Sequence, residues 1–194
     1  RIAEGERAGV FFLQRWAGVD PSNGQPLYYD AEGNITNVLD RSGEGVYLDK
    51  QFDPVFTGGF GTNISWKGFT LTSLFSFAAE TYRVNSALAL VEDFDLVGIT
   101  NLSTTMFDVW QEPGDVVTIP APAQAAGLRI PSSNQSDRYL EDASFLRLRN
   151  ATLAYNVDKK VLDKVGMFSA IRIYAQGTNL VTWSEWRGFD PESN

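Results

Sequence analysis

The clearest alternation of apolar and polar residues lies between Phe56 and Ala78, in the segment FTGGFGTNISWKGFTLTSLFSFA. It predicts two antiparallel strands joined by a two-residue turn at Lys67-Gly68. One face of the hairpin then carries mainly aromatic and aliphatic pairs: Trp66 with Phe69, Ile64 with Leu71, Thr62 with Ser73, and Phe60 with Phe75. The other face carries mainly small and polar pairs: Ser65 with Thr70, Asn63 with Thr72, Gly61 with Leu74, and Gly59 with Ser76. The hairpin therefore suits an apolar environment on one side and water on the other.

Strand length leaves two interpretations of this hairpin open. Each arm has about ten residues, which matches the roughly 9 to 11 residues that a tilted strand needs to cross a bilayer. A soluble β-sandwich with one buried face shows the same alternation. The connections between strands must therefore decide.

Three further segments have the composition of strands. They are Gly9 to Val19, Phe145 to Val157, and Ile171 to Trp183. In the second, Ala151, Leu153 and Tyr155 share one face, and simple alternation places Arg147 and Arg149 on that face too. The inward face of the third segment is left unassigned, because Gly177 and Asn179 fall among its apolar positions.

The connections between these strands alternate between long and short. A Gly-, Asp- and Asn-rich stretch from residue 20 to about 53 has room for a small hairpin at Leu27 to Ile35, and a second excursion spans about 80 to 142. The second excursion contains a helical segment, Ser103 to Gln111, in which Ser103 is the predicted N-cap. The segment Asp158 to Ser169 is compact, with one helical turn closed by Gly166.

Structureless loops longer than about 12 to 15 residues are uncommon in compact soluble domains. Long loops at one rim and short turns at the other are typical of outer-membrane barrels. The pattern therefore predicts an all-β fold: a partial antiparallel transmembrane β-barrel of about five strands, with long extracellular loops and a short loop helix.

Composition excludes several classes of function. Sixteen basic and 24 acidic residues give a net charge of −8, which opposes binding to nucleic acid. The chain has no Cys and no His, which removes thiol nucleophiles, the Ser-His-Asp triad and imidazole acid–base chemistry. The adjacent carboxylates Glu141-Asp142 and Glu92-Asp93 point to opposite faces if extended. We therefore expect no enzyme activity and no cofactor.

One short segment has a faint metal-binding pattern. Asp30, Glu32 and Asn34 place oxygen side chains at alternate positions, as in a calcium loop, but the glycine is Gly33 and not the sixth residue of the loop. An Asx-type turn accounts for the same residues. The sequence therefore predicts a turn here and no metal site.

Several motifs, in order along the chain, resemble the C-terminal third of SusC/RagA-type TonB-dependent outer-membrane transporters of Gram-negative bacteria. The strongest is Phe145-Leu146-Arg147-Leu148-Arg149-Asn150-Ala151-Thr152-Leu153-Ala154-Tyr155. The others are Arg15-Trp16-Ala17-Gly18-Val19-Asp20-Pro21, Pro26-Leu27-Tyr28-Tyr29-Asp30, Phe56-Thr57-Gly58-Gly59-Phe60, Ser136-Asp137-Arg138-Tyr139-Leu140-Glu141-Asp142, Gly177-Thr178-Asn179-Leu180, and Trp186-Arg187-Gly188-Phe189-Asp190-Pro191-Glu192. The groups that begin at Arg15 and Trp186 share a Trp-x-Gly-x-Asp-Pro pattern, in which Asp-Pro is expected to end strand pairing.

This resemblance implies a function and a set of partners. It implies that residues 1–194 are a C-terminal portion of a barrel of about 22 strands with a plugged lumen, lacking the plug, the TonB-binding motif and the last strand. Such a protein imports glycan oligomers or peptides across the outer membrane. Its implied partners are a SusD-like surface lipoprotein, the TonB complex through the missing N-terminal parts, and outer-membrane lipid.

The alternative from a different class is a soluble secreted β-sheet module that binds glycans through exposed aromatic side chains. Both interpretations give the same candidate residues for contact with substrate, namely Trp110, Tyr139 and Trp186. Aromatic residues in loops are also commonly structural, so packing is the competing explanation for all three.

Overall fold

A computed structural model describes residues 4–5, 7–39, 45–122 and 136–193. The chain divides into two compact units. We call Pro54–Glu80 with Ala143–Glu185 the strand unit, and Arg1–Asp53 with Thr81–Asp142 and Trp186–Asn194 the loop unit. Over the described ranges, no helix is both long enough and apolar enough to span a membrane.

The described residues are mainly strands with few helices, as the sequence predicted. The strands are β1 Val10–Leu13, β2 Trp16–Val19, β3 Pro26–Tyr29, β4 Ile35–Thr36, β5 Val46–Gln51, β6 Phe56–Trp66, β7 Phe69–Ala79, β8 Tyr82–Val84, β9 Leu140–Asp142, β10 Phe145–Asn156 and β11 Arg172–Ser184. The helices are α1 Ser86–Val91 and α2 Lys159–Val165, with 3₁₀ turns at Phe94–Leu96, Thr104–Asp108 and Asp137–Tyr139.

The strand unit contains one four-stranded antiparallel sheet in the order β6-β7-β10-β11. Its spatial order is the order of the strands along the chain, so the sheet is an up-and-down meander. The β6–β7 register confirms the predicted pairs, since Trp66 lies opposite Phe69, Ile64 opposite Leu71 and Phe60 opposite Phe75. Lys67 and Gly68 both have positive φ, 46° and 85°, as a tight hairpin turn requires.

The predicted faces of β10 need a correction. Its register shifts by a bulge between Leu148 and Asn150, so Leu148 lies opposite Phe75 and Arg147 lies opposite Ser76. Arg147 is therefore on the polar face, and placing it on the apolar face was wrong. A bulge inserts one residue and exchanges the faces beyond it, which simple alternation cannot anticipate.

The predicted strand from Gly9 to Val19 is also wrong as one element. β1 ends before Gln14 and β2 begins after it, at Trp16. The Gln14 side chain is 1% exposed, and its Nε2 donates to the carbonyls of Tyr29 (3.1 Å) and Val38 (3.2 Å). β1 then pairs with β5, while β2 pairs with β3 in a different sheet. This segment belongs to the loop unit and adds no fifth strand to the meander.

The described parts of the long connections contain more strands and helices than the sequence indicated. The small hairpin at 27–35 is confirmed as β3 and β4, whereas β5, β8, β9 and α1 were missed. The helix expected over 103–111 is only the 3₁₀ turn Thr104–Asp108, although Ser103 caps it as predicted. After β10, α2 follows Asp158, which caps it, and ends at Gly166 with φ 68°. This confirms the compact connection before β11.

Candidate functional site

The apolar face of the strand unit extends across all four strands. One row joins Ile64, Leu71, Leu153 and Ala175, and the next joins Trp66, Phe69, Tyr155 and Ile173. Because Ala175 and Ile173 lie in these rows, the face of β11 that the sequence left unassigned is now identified: these residues belong to the apolar face. Phe60 stacks on Phe75 with ring centroids 4.9 Å apart, and Phe69 lies 4.6 Å from Tyr155.

These apolar side chains are exposed. Ile64 is 57% exposed, Leu153 50% and Ile173 62%. Large contiguous apolar surfaces mark contact with a membrane or with another protein. The face is therefore an interaction surface.

The opposite face of the same sheet is polar. Asn63, Thr72, Thr152 and Gln176 form one row across the four strands. Arg149 donates from Nε to the Ser76 hydroxyl at 2.7 Å, so its guanidinium reaches this face too. The four strands contain three arginines and no Asp or Glu. This face is suited to an aqueous space, whereas the other is not.

In the loop unit, a buried cluster centres on Arg138. The guanidinium lies over the rings of Trp16 and Tyr139, 4.9 Å from each centroid, and its Nη2 is 3.6 Å from Glu92 Oε2. The side chains of Arg138 and Glu92 are only 10% and 8% exposed. Thr105 donates its hydroxyl to Glu92 at 2.8 Å. The cluster thus ties three distant chain segments together.

Two tyrosines of this cluster are shielded from water. Tyr28 packs edge-on against Trp16, is 2% exposed, and has its pKa raised to about 12 by burial. Burial also raises the pKa of Tyr139 well above its usual range, although the neighbouring Arg138 partly offsets this. Both phenols therefore stay neutral at physiological pH.

The three predicted contact residues lie in different environments. Tyr139 is 5% exposed within the Arg138 cluster. Trp110 donates its indole N–H to the Pro21 carbonyl at 3.1 Å and lies against Gly24, where an added Cβ would come within 2.5 Å of the ring. Trp186 lines a cleft in the loop unit. The structure thus buries Tyr139, whereas Trp110 and Trp186 are both half-buried, Trp110 against Gly24 and Trp186 at the wall of the cleft.

The cleft has a volume of about 570 Å³, within the usual range for ligand sites. Its apolar lining comes from β1, the residue after β5, β8, α1 and the segment after β11; the residues are Phe11, Leu13, Phe52, Val84, Ala87 and Phe189. Arg83 and Asp190 also line it. Sequence reasoning missed Phe52 and Phe189, although Phe189 lies within the Trp-x-Gly-x-Asp-Pro motif.

The segment that carries Trp186 and Phe189 is fixed by specific contacts. Arg187 donates from Nε to Glu141 Oε1 at 3.0 Å, and Asn85 donates to the other carboxylate oxygen at 3.2 Å. Gly188 packs directly against the Trp186 indole, where a Cβ would come within 2.3 Å. Phe189 is thereby held with 97% of its surface exposed.

The two Asp-Pro sequences form equivalent turns. Asp20 accepts the Ser22 backbone N–H at 2.8 Å, and Asp190 accepts that of Glu192 at 2.9 Å. Asp30 accepts the Asn34 backbone N–H, four residues on, at 2.7 Å, and the Asn34 side-chain amide donates to its other carboxylate oxygen at 3.0 Å, so the predicted turn is present but its bonds span more residues than those of an Asx turn. Among the described residues, no group of three or more acidic side chains is arranged to hold a metal ion.

The chain is similar in sequence to proteins that are all named TonB-dependent receptors. Two receptors of Formosa agariphila align over the whole chain: TonB-dependent receptor P3 at 28% identity and TonB-dependent receptor P26 at 27%. No family profile matches. The chain spans 19% and 20% of the two receptors, about a fifth of their length.

Solved structures agree with these relatives. The RagAB peptide importer in its closed-closed state superposes with a TM-score of 0.81 at 28% identity, over 95% of this chain and 20% of the importer chain. Its open-open state gives the same TM-score at 25% identity, over 100% of this chain and 22% of the importer chain. The resemblance to the SusC/RagA-type TonB-dependent transporter family is thus confirmed, and this chain is a relative of these receptors that spans about a fifth of their length.

Proposed function

We propose that this chain forms part of the barrel and surface loops of an outer-membrane TonB-dependent transporter of a Gram-negative bacterium. The observation that carries the proposal is the two-faced, four-stranded meander. Its strands have 11 to 13 residues, enough to cross the hydrocarbon layer when tilted. The apolar face then contacts lipid and the polar face lines the lumen.

The proposed activity is import of glycan oligomers or peptides together with a SusD-like surface lipoprotein. Similarity to a peptide importer and to TonB-dependent receptors supports energised nutrient uptake. The TonB complex would act through other parts of the parent protein. The relatives are named receptors and importers, which fits a protein that moves its substrate without chemical change.

Orientation follows from the lengths of the connections. The β6–β7 turn has two residues and the β10–β11 connection is short, as periplasmic turns are, whereas residues near Asn34 and Gly114 lie in the long connections. We therefore propose that Asn34 and Gly114 face the cell exterior, and Gly166 the periplasm.

Epitope insertion tests both location and orientation. Tags at Asn34 or Gly114 of the full-length parent should be stained on intact cells, and a tag at Gly166 only after the outer membrane is opened. Nothing lies within 4 Å of a Cβ at Gly114 or Gly166, so both sites have room for an insertion. Staining of intact cells at Gly166 but not at Asn34 would reverse the topology and remove this role for the loops.

The competing function, a soluble glycan-binding module, makes a different prediction for the isolated chain. If the apolar face contacts lipid, the chain should require detergent to stay monodisperse, because Phe60, Ile64 and Leu71 would otherwise be exposed to water. A sharp monomer peak with cooperative melting in plain buffer would favour the soluble module.

A further inference from the structure

The cleft of the loop unit, described above, has walls whose chemistry distinguishes between possible ligands. Its aromatic residues are Phe11, Phe52, Trp186 and Phe189, and Leu13 and Val84 add aliphatic surface. Phe52 is 40% exposed and Phe189 97%. These side chains offer apolar contact area that the described part of the loop unit does not itself cover.

Three polar side chains of the cleft, those of Asn85, Arg83 and Asp190, already make contacts within the protein. Asn85 is 2% exposed; its Oδ1 caps α1 by accepting the Leu88 N–H at 3.0 Å, and its Nδ2 donates to Glu141. Arg83 lies over the Phe52 ring at 4.8 Å and donates to the Ser193 carbonyl at 3.3 Å. Asp190 accepts the Glu192 N–H within its turn.

A sugar needs several polar partners for its hydroxyl groups in addition to an aromatic platform, because each unmatched hydroxyl that loses water costs free energy. Aliphatic and aromatic peptide side chains have no such requirement, and they gain from the apolar walls. The cleft volume of about 570 Å³ accommodates a short ligand segment.

We propose that this cleft binds an apolar segment of an oligopeptide, with Phe189 and Trp186 as aromatic contacts. The inference rests on the proposed transport function and specifies its substrate as peptide. The cleft then retains cargo at the loops by contact with its apolar side chains.

The test uses the full-length parent protein in detergent and two probes. One probe is the blocked dipeptide N-acetyl-leucyl-phenylalaninamide, and the other is the oligosaccharide maltohexaose. Two substitutions alter the cleft: Phe189→Ser removes an aromatic contact, and Ala87→Trp fills the space from exposed α1. Phe107→Ser and Leu90→Trp are the matched controls, since both residues are exposed (80% and 56%) and neither lines the cleft.

We expect Phe189→Ser and Ala87→Trp each to raise the peptide Kd at least about tenfold, equivalent to about 1.4 kcal/mol. The controls should leave it within about twofold, and maltohexaose should not compete. Peptide binding that survives both cleft substitutions, or no peptide binding by the native protein, would overturn the proposal. Maltohexaose binding that is lost in the cleft variants would replace peptide by glycan. The epitope staining is independent of these results, so a failed cleft is distinguishable from a failed transporter assignment.

Discussion

The strand unit and the loop unit are each stabilised by a different kind of internal contact. In the strand unit, four long strands pair in chain order and repeat one two-faced pattern. In the loop unit, short strands of two to six residues are joined by individual side-chain contacts, such as Arg138 with Glu92 and Arg187 with Glu141. Single substitutions should therefore disrupt the loop unit through specific contacts, and the strand unit through the character of a face.

Removing the carboxylate of Glu92 should have the largest effect. Glu92→Ala leaves the Arg138 guanidinium buried between two aromatic rings without its counter-charge, and breaking such a buried pair costs about 3 to 5 kcal/mol. The measurements are the free energy of unfolding of the full-length protein in detergent and the proteolytic sensitivity of residues 80–142.

The control for this substitution is Glu112→Ala, an exposed carboxylate in the same excursion, which should change stability by no more than about 0.5 kcal/mol. Equal effects of Glu92→Ala and Glu112→Ala would mean that the Arg138 cluster does not organise the loops.

A charge on the apolar face should have the next largest effect. On the proposed assignment of the faces, Leu71→Arg should cost about 2 to 4 kcal/mol because it would place a guanidinium against lipid, whereas the neighbouring Thr72→Arg should be nearly silent because it would face the lumen. The measurement is the amount of assembled barrel in the outer membrane. Similar losses for the two variants would show that the faces are assigned incorrectly.

Substitution of one glycine in each unit allows the cost of an added Cβ to be compared directly. Gly68 in the strand unit and Gly98 in the loop unit have nearly equal φ values, 85° and 82°, so alanine is strained at both. A Cβ at Gly68 would lie 2.9 Å from the Asn156 carbonyl oxygen, but at Gly98 it meets nothing within 4 Å. Gly68→Ala should therefore cost about 1 kcal/mol more than Gly98→Ala in unfolding experiments; the reverse order would contradict the close contact at the hairpin turn.

The smallest predicted effect is the acid response of the turn at Asp30. The side-chain hydrogen bond from Asn34 holds the pKa of Asp30 below its ordinary value of 3.8. A lowered folded-state pKa contributes stability above pH 3.8 that is lost as the pH falls through the folded-state value. Pepsin should therefore cleave the 27–35 hairpin faster at pH 2.5 than at pH 4.5, and Asn34→Ala should reduce this difference. An unchanged difference in Asn34→Ala would show that this hydrogen bond does not control the turn.

The sequence by itself determined the strands of the strand unit and the register of its first hairpin. The β6–β7 register, the turn at Lys67-Gly68, β10, β11 and the family resemblance were all predictable, because alternation over ten or more residues is a strong local signal. The turns at Asp20, Asp30 and Asp190 are local too, since each carboxylate accepts a backbone N–H from a residue two to four positions along the chain.

Tertiary structure alone decided the remaining features. Gln14 divides a β-prone segment because its partners lie 15 and 24 residues away. The β10 bulge that moves Arg147 becomes visible only when β10 is paired with its neighbours β7 and β11. The cleft joins residues from position 11 to position 193, and the Arg138 cluster joins residues from 16 to 139. Contacts between distant segments leave no periodic trace in the sequence, so the difference between buried Tyr139 and half-buried Trp186 at the cleft required the folded chain.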